Sequence, residues 1–316
     1  MVEPMPPTVT ICIPTFRRPK SLKRLLDATA ALRTDARLSV LVADNDAQSH
    51  AGFDLVTGMA ADYRWPLTAV IAPERGIAQV RNTLIAHALP QGSRFIAMID
   101  DDEWPSPQWI AAFLSAARAT GADVLQGSIL FGQAGAADGH RDIRRPSGPI
   151  GMLQGAGNLL VSREVLEEMG APWFDPQFAL SGGEDQDFFV RLMQAGKCFA
   201  WSDEAVAHGE VPGTRATLQW LLKRAYSVGN SDMRVLIKHQ PGAGTFAREL
   251  AKILATLLLS PLAAVILAGS PNRRAVPLQK LCRAARNEEL MQRYDAGKLT
   301  AMCGARYNEY AVVHGE

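Results

Sequence analysis

Two short acidic runs carry most of the chemistry this chain could perform. The first, "IAMIDDDEWP" (residues 96–105), sets Asp100, Asp101, Asp102 and Glu103 directly behind an apolar stretch. Carboxylates packed that closely repel one another, and a divalent cation is the natural partner that would relieve them. Asp100 and Asp102, one residue apart at an extended strand end, point to the same side. There they can grip one hard cation and leave positions open for the oxygens of a diphosphate. Asp101 and Glu103 then face the other way or support the pair from behind. The second run, "LSGGEDQDFFVRLMQAG" (180–196), places two glycines before Glu184, Asp185 and Asp187. Phe188, Phe189, Leu192 and Met193 follow at helical spacing. A helix dipole alone draws acids into a first turn. The Gly-Gly lead-in adds something more, because it lets backbone approach a ligand, and the helix N-terminus keeps Asp185 ionised and able to accept a proton.

The elements that must position these runs alternate in kind. "TVTICI" (8–13), "LSVLVA" (38–43), "LTAVIA" (67–72) and "RFIAMI" (94–99) are short, apolar and bounded by Pro, Asp or charge, as fully buried strands are. Between them, residues 19–32 and 76–89 repeat their apolar positions every three or four residues, as amphipathic helices do. This strand–helix–strand rhythm predicts a mostly parallel sheet covered by helices on both faces, with ligands at the carboxyl ends of its strands. Polar residues follow each strand as that rule requires: Pro14, Thr15 and Arg17 in "PTFRRP", Asp44 and Asp46 in "DND", Arg75 in "PERG", then the acids after residue 99. Trp104 and Pro105 close the acidic turn, and a helix starts in "SPQWIAAFLSAARAT". "LQGAGNLLVSREVLEEMG" supplies Gly155, Gly157 and Asn158, suited to a turn that floors an acceptor site. "KCFAWSDEAVAHGEVP" reads as a strand pair leading to His208, and residues 133–148 as a loop that orders over substrate.

Composition limits the rest. A chain of 316 residues that is 47% hydrophobic buries one large core, or one core and a smaller appendage. With 33 basic and 32 acidic residues its net charge is +1, so no overall field recruits nucleic acid. Cys12, Cys198, Cys282 and Cys303 form no Cys-x-x-Cys pair and read as buried thiols in a reducing compartment. The first residues lack a basic stretch followed by a long apolar one, which predicts a cytoplasmic catalytic end.

Taken together, "VTICIPTFRRPKSLKRLLDA", "VLVADND", "RGIAQVRN", "MIDDDEWPSPQWI" and "GGEDQDFFVRLMQAG" resemble, in order and spacing, the inverting nucleotide-sugar glycosyltransferases of family 2. The likeness is greatest to bacterial enzymes that extend exopolysaccharide repeat units on a lipid carrier. The resemblance implies an α/β fold of the GT-A type: a Rossmann-like, mixed, mostly parallel sheet with helices on both faces and a C-terminal helical extension. It divides the chain into a catalytic region at 1–212 and a helical, membrane-associating region at 213–316. It implies that Pro14, Thr15 and Arg17 line the nucleotide pocket, that Asp44 meets the base, usually uracil, and that Arg75 and Arg81 shape the same pocket. Asp100 lies toward the ribose with Asp101 on the nucleotide side. Asp102 meets the metal, Mn or Mg, that bridges the donor diphosphate, and His208 completes that site. Trp104, Gly157 and Asn158 lie on the acceptor side. Asp185 is the general base with Glu184 beside it. One departure is that Asn45 splits the acids after the second strand.

A metal at Asp102 would stabilise the charge developing on the leaving diphosphate, and Asp185 would take the proton of the acceptor hydroxyl, so attack from the opposite face inverts the anomeric carbon in one step. The resemblance implies a UDP-hexose donor, with guanosine or thymidine in place of uridine left open, and a glycan or lipid-linked sugar as acceptor. Two other classes fit a sheet with an acidic rim. A sugar-1-phosphate nucleotidyltransferase usually has a glycine-rich loop after strand one, and "PTFRRP" has no glycine; against a noncatalytic nucleotide-sugar-binding module stands the intact pair at 184 and 185.

Past residue 213 the character changes. "TLQWLLKRAYSVGNSD" is an amphipathic basic helix, and no charge occurs between Lys252 and Arg273. Pro261 divides that stretch, which suggests a kinked, membrane-embedded or re-entrant hairpin from 253 to 268. Arg248, Lys252, Arg273 and Arg274 would suit an anionic leaflet, placing the protein at the cytoplasmic face of the inner membrane. The alternative is a helical pair that covers the core's own edge.

Overall fold

The computed structural model describes residues 6–131, 142–210, 217–269 and 278–308, with side chains in the last helices described through 256 and from 289. These form two compact units, one of residues 6–131, 142–180 and 184–210, the other of 181–183 with 217–269 and 278–308.

The first unit is built on a nine-stranded sheet. Its strands are β1 (Thr8–Thr15), β2 (Arg37–Asp44), β3 (Leu67–Ile71), β4 (Phe95–Met98), β5 (Glu103–Pro105), β6 (Val124–Phe131), β7 (Gly148–Ile150), β8 (Leu159–Ser162) and β9 (Phe199–Gly209). The order is β3-β2-β1-β4-β8-β6-β9-β5, with β7 also on β9. The first four strands run parallel, as the alternating pattern requires, while β8 enters antiparallel between β4 and β6. Helices α1 (Pro19–Ala30), α2 (Ala51–Met59) and α4 (Trp109–Thr120) bury Leu22, Val56 and Phe113 in one core with Ile11 and Val40. Helices α3 (Ile77–Ala88), α5 (Arg163–Met169) and α6 (Glu184–Gln194) bury Leu84, Leu166 and Phe188 in a second core with Cys12 and Leu41. Adjacent residues of β1 and of β2 thus feed opposite cores, so the sheet is covered on both faces.

Three expectations are corrected. The described part of the stretch 197–212, up to residue 210, is not a strand pair. It contributes one long strand, β9, whose start pairs with β7 and whose end pairs with β5, with a register shift against β6 between Gly127 and Ile129. Changing partners along its length is what gave it a two-strand pattern. Residues 253–268 are not a hairpin: they belong to one helix, α8 (Ala243–Gly269), that runs through Pro261 between α7 (Leu218–His239) and α9 (Leu278–Met302). Among the described residues no helix is long and apolar enough to cross a membrane. The thiols are not uniformly buried either. Cys12 is enclosed by β1, whereas Cys198 and Cys303 are free and exposed because each sits at the edge of an element. Of the loop at 133–148, residues up to 141 lie outside the described ones, and the remainder is tied down through backbone pairing of Ile143 with Ile129 and an Arg144–Asp203 ion pair.

Candidate active site

Because β1, β2, β3 and β4 are parallel, their carboxyl ends share one rim, and the predicted polar residues meet there. The acids after β4 lie on a turn and not on the expected extended strand end: the Glu103 N–H donates to the Asp100 carbonyl at 3.1 Å, and one nitrogen of Arg18 reaches both Asp101 and Asp102. Asp101 turns inward: its Oδ2 accepts the Thr15 hydroxyl at 2.9 Å and the Phe16 N–H at 3.4 Å. Burial pushes its carboxyl up to about 7, against the pull of Arg18. Asp100 and Asp102 are more open, and each meets an arginine. Asp102 Oδ2 accepts from Arg18 Nη1 at 2.9 Å, and Asp100 Oδ1 from Arg81 Nη2 at 3.1 Å.

Arg81 joins the two acidic runs. It lies on α3 with its side chain only 5% exposed, resting on the Phe174 ring. One guanidinium nitrogen binds Asp100 and the other donates to Glu184 Oε1 at 2.7 Å. Glu184, at the start of α6, is buried with Oε2 unpartnered. Desolvation, with Asp185 adding repulsion, pushes its carboxyl up to about 7 even though Arg81 pulls the other way. Asp185 has a different environment. It is half-buried, and its Oδ1 accepts the Gln186 N–H at 2.8 Å. Its Oδ2 faces Gly155, 3.9 Å from where a Cβ would stand. Asp187, third in the run, is fully buried against Arg191 one turn on, a structural ion pair at 2.9 Å.

The turn at 154–158 forms the opposite wall. Gln126 on β6 clamps it from below, donating to the carbonyls of Gln154 and Gly155 and accepting the Gln154 N–H at 2.9 Å. Gly157 lies directly over the acids: a Cβ there would stand 3.0 Å from Glu103 Oε1 and 3.1 Å from Asp100 Oδ2. Glycine leaves those carboxylates room without forcing them to shift. Asn158 is wholly enclosed, accepting from Trp109 Nε1 at 2.6 Å and donating to the Ser128 and Ala205 carbonyls. Its part is to fix the turn that presents Gly157.

Elsewhere the predicted residues divide into lining and scaffold. Asp44 is 1% exposed, and its carboxylate caps α2, with Oδ2 accepting from the Gly52 and Phe53 N–H groups at 2.8 and 3.0 Å. That cap supports a helix whose interior contains two glycines, Gly52 and Gly58. Asp46 is the acid paired outward. Arg17, held at φ 55°, grips it at 2.6 Å and keeps its carboxyl well below the usual range. Pro14 is enclosed in β1, and Arg75 is exposed, with its guanidinium 5.5 Å from the Phe16 ring centre. Trp104 and His208 are cross-strand partners on β5 and β9 with stacked rings 5.9 Å apart, and Arg24 covers Trp104 at 3.6 Å.

Sequence reasoning missed three contributors. Arg18 pairs with both Asp101 and Asp102; its neighbour Arg17, in the same dipeptide, drew attention away. Asn45 is no mere interruption: it donates to the carbonyls of Ala72 and Glu74 and accepts the Gly76 N–H, fixing the loop that carries Arg75. Gln126 had no sequence signal at all. Glu103 goes beyond the supporting position expected of it: its Oε2 is buried without a partner, and burial beside Asp100 and Asp102 raises its carboxyl well above the usual range.

Among the described residues no three His, Cys, Asp or Glu side chains are grouped to hold a metal ion by themselves. The donor set nevertheless fits a hard cation. Asp100, Asp102 and Glu103 offer carboxylate oxygens only, the glycine above them leaves space, and one or two carboxylates suffice when phosphate oxygens complete the shell.

With this geometry in place, comparison with known proteins gives a consistent answer. The family model described as "Glycosyl transferase family 2" matches residues 10–167. The succinoglycan biosynthesis protein ExoM of Rhizobium meliloti (strain 1021) is 33% identical, over 74% of this chain and 77% of that protein. The glycosyltransferase AglE of Haloferax volcanii is 24% identical, over 72% and 74%. Of solved structures, the mannosyltransferase PcManGT from Pyrobaculum calidifontis, in complex with GDP-Man and Mn2+, superposes with a TM-score of 0.61 at 20% identity, over 94% of this chain and 86% of that one. S. aureus TarS 1–349 in complex with UDP gives 0.53 at 15% identity, over 95% and 93%. The last two likenesses speak for the fold alone, which is the GT-A fold with added C-terminal helices.

Proposed function

The chain belongs to glycosyl transferase family 2, and from that premise we propose an inverting enzyme that moves a hexose from a uridine diphosphate donor to a hydroxyl of a glycan or lipid-linked acceptor in cell-surface polysaccharide synthesis. The observation that carries the reading is the Arg81 bridge. It ties Asp100, among the acids suited to a metal and diphosphate, to Glu184, next to the residue suited to be the base. Donor chemistry and acceptor chemistry therefore meet in one site of the first unit. Relatives also support it: ExoM by its role in succinoglycan biosynthesis, and the fold relatives by having been captured with UDP or with GDP-Man and Mn2+.

In this reading Asp102 and Asp100 hold a divalent cation, Mn or Mg. When bound, the cation neutralises charge growing on the leaving diphosphate. Asp185 takes the proton from the acceptor hydroxyl as it attacks the anomeric carbon, and the carbon–oxygen bond to the diphosphate breaks on the opposite face. Asp185 suits that role better than Glu184. It is the more open of the two, and its charge is not shared with an arginine among its described contacts. Glu184 is occupied by Arg81 and orients the start of α6. Arg17 and Arg75, exposed beside Phe16, border the nucleotide, and Gly157 with Gly155 borders the acceptor. His208 contributes from β9 through its stack on Trp104.

Catalysis is assigned to residues 1–212. Residues 213–316 are assigned to association with the cytoplasmic face of a membrane, where a lipid-linked acceptor would reside. Flotation of the full chain with anionic vesicles tests the second assignment, and retention at the bottom of the gradient rejects it. The activity is tested by supplying UDP-glucose, Mn2+ and a lipid-diphosphate glycan, then measuring products by mass spectrometry. UDP release with a lengthened glycan is expected. Release of inorganic diphosphate would replace the reading with nucleotidyl transfer.

A further inference from the structure

We propose that Arg18 is the resident counter-ion of the metal-binding carboxylate: it holds Asp102 while no cation is bound and gives it up when the cation arrives. This rests on the reading of Asp102 as a metal ligand. A single nitrogen, Arg18 Nη1, donates to Asp101 Oδ1 at 3.0 Å and to Asp102 Oδ2 at 2.9 Å. The two acceptors are unlike. The Asp101 side chain is 8% exposed and is independently fixed by the Thr15 hydroxyl and the Phe16 N–H. The Asp102 side chain is 29% exposed. Arg18 therefore has a permanent partner in Asp101 and an exchangeable one in Asp102.

A divalent cation on Asp102 Oδ2 would stand within contact range of the guanidinium, and like charges at that distance repel strongly. Each occupant therefore weakens the other's hold on that carboxylate. The exchange needs no unfolding, because Arg18 sits at the start of α1, just before Pro19, and its long side chain can move without disturbing the helix. Once displaced, the guanidinium stays tethered to Asp101 on the same rim. There its planar fork is placed to meet oxygens of a diphosphate. Metal arrival and diphosphate capture become one coupled event, and the cation alone binds weakly until a donor compensates for the lost ion pair.

The test is Mn2+ titration of the nucleotide-free full chain, followed by electron paramagnetic resonance. Arg18→Gln should bind Mn2+ about tenfold more tightly than the unmodified chain, since a competing cation has gone. Arg18→Lys, which keeps the charge, should stay near the original affinity. The coupling should shrink as well, so that added UDP tightens Mn2+ binding less in Arg18→Gln. If Arg18→Gln binds Mn2+ no more tightly, the proposal is overturned. Asp102→Asn separates this failure from a deeper one: if it leaves Mn2+ affinity unchanged, the metal assignment itself is wrong. Should Arg18→Gln not fold, the unmodified chain decides. Its Arg18 side-chain 15N resonance must shift on saturation with Mg2+, and a resonance that stays put rejects the exchange.

Discussion

The acids after β4 and the acids opening α6 look alike in sequence, and the fold treats them differently. After β4 the chain turns, the Glu103 N–H closing on the Asp100 carbonyl at 3.1 Å, so that Asp101 is buried against Thr15 while Asp100 and Asp102 stay more open, each meeting an arginine. In α6 neighbours diverge by about 100°, so Glu184 and Asp187 go inward to Arg81 and Arg191 and Asp185 is left half-open on backbone alone. Three carboxylates within four residues thus become a buried partner, a candidate base and a structural ion pair. Local geometry and burial assign the role, and residue type does not.

The sharpest way to break the contrast is to remove the residue common to both regions. Arg81→Met deletes the shared cation and leaves Glu184 buried and unpaired, a loss that costs about 3–5 kcal/mol where a buried pair is broken from one side. Urea denaturation should show that loss. An unchanged midpoint would mean that the bridge contributes little to holding the two acidic regions together.

Next in size is Asp185→Asn, which tests whether the open acid is the chemical one. Turnover should fall by roughly a hundredfold or more while UDP affinity stays within about a factor of three, the pattern expected when a general base is lost and binding is kept. Normal turnover in this variant would hand the base role to another residue.

Much of this arrangement was legible beforehand, and the limits of that legibility are physical. Strands β1 to β4 and helices α1, α3 and α4 announced themselves because burial on both faces leaves continuous apolar runs and helices leave periodic ones. The convergence of Thr15, Asp101, Asp102, Asp100 and Arg81 followed from parallel strands sharing a rim. Partner choice was not legible. Nothing in "RR" says that Arg17 takes Asp46 while Arg18 takes Asp101 and Asp102, because a left-handed φ of 55° at Arg17 splays the two side chains. Nor does the sequence show that the Asp44 carboxylate also caps α2, or that Asn158 holds its turn through the Trp109 indole and two backbone carbonyls. Gln126 acts through a loop some thirty residues away, a distance no local pattern spans.

A smaller effect sharpens the comparison from above. Gly157→Ala would press a methyl group to 3.0 and 3.1 Å from Glu103 and Asp100. Those carboxylates can yield by a few tenths of an ångström, so the fold should survive while Mn2+-dependent UDP binding weakens by about tenfold, or some 1.4 kcal/mol. Calorimetry decides it. Equal loss of UDP binding with and without Mn2+ would show that the turn touches the nucleotide and not the acids.

The smallest expected effect concerns the proton on Glu184. Burial raises this carboxyl from its ordinary 4.5 to about 7 in the folded chain. Between those values the folded state holds a proton that the unfolded state has released, so the stability contributed by this group is present below about 4.5 and is lost as pH rises through about 7. Glu184→Gln cannot ionise and removes that slope. Because Arg81 absorbs part of the charge, the variant should gain on the unmodified chain by only about 1 kcal/mol between pH 5 and pH 8. Urea midpoints at the two pH values measure it. A gap between variant and unmodified chain that does not change with pH would mean that Glu184 is ionised throughout, fully neutralised by Arg81. The contrast between a proton-holding buried acid and its open neighbour would then collapse, leaving exposure alone to distinguish Asp185 as the base.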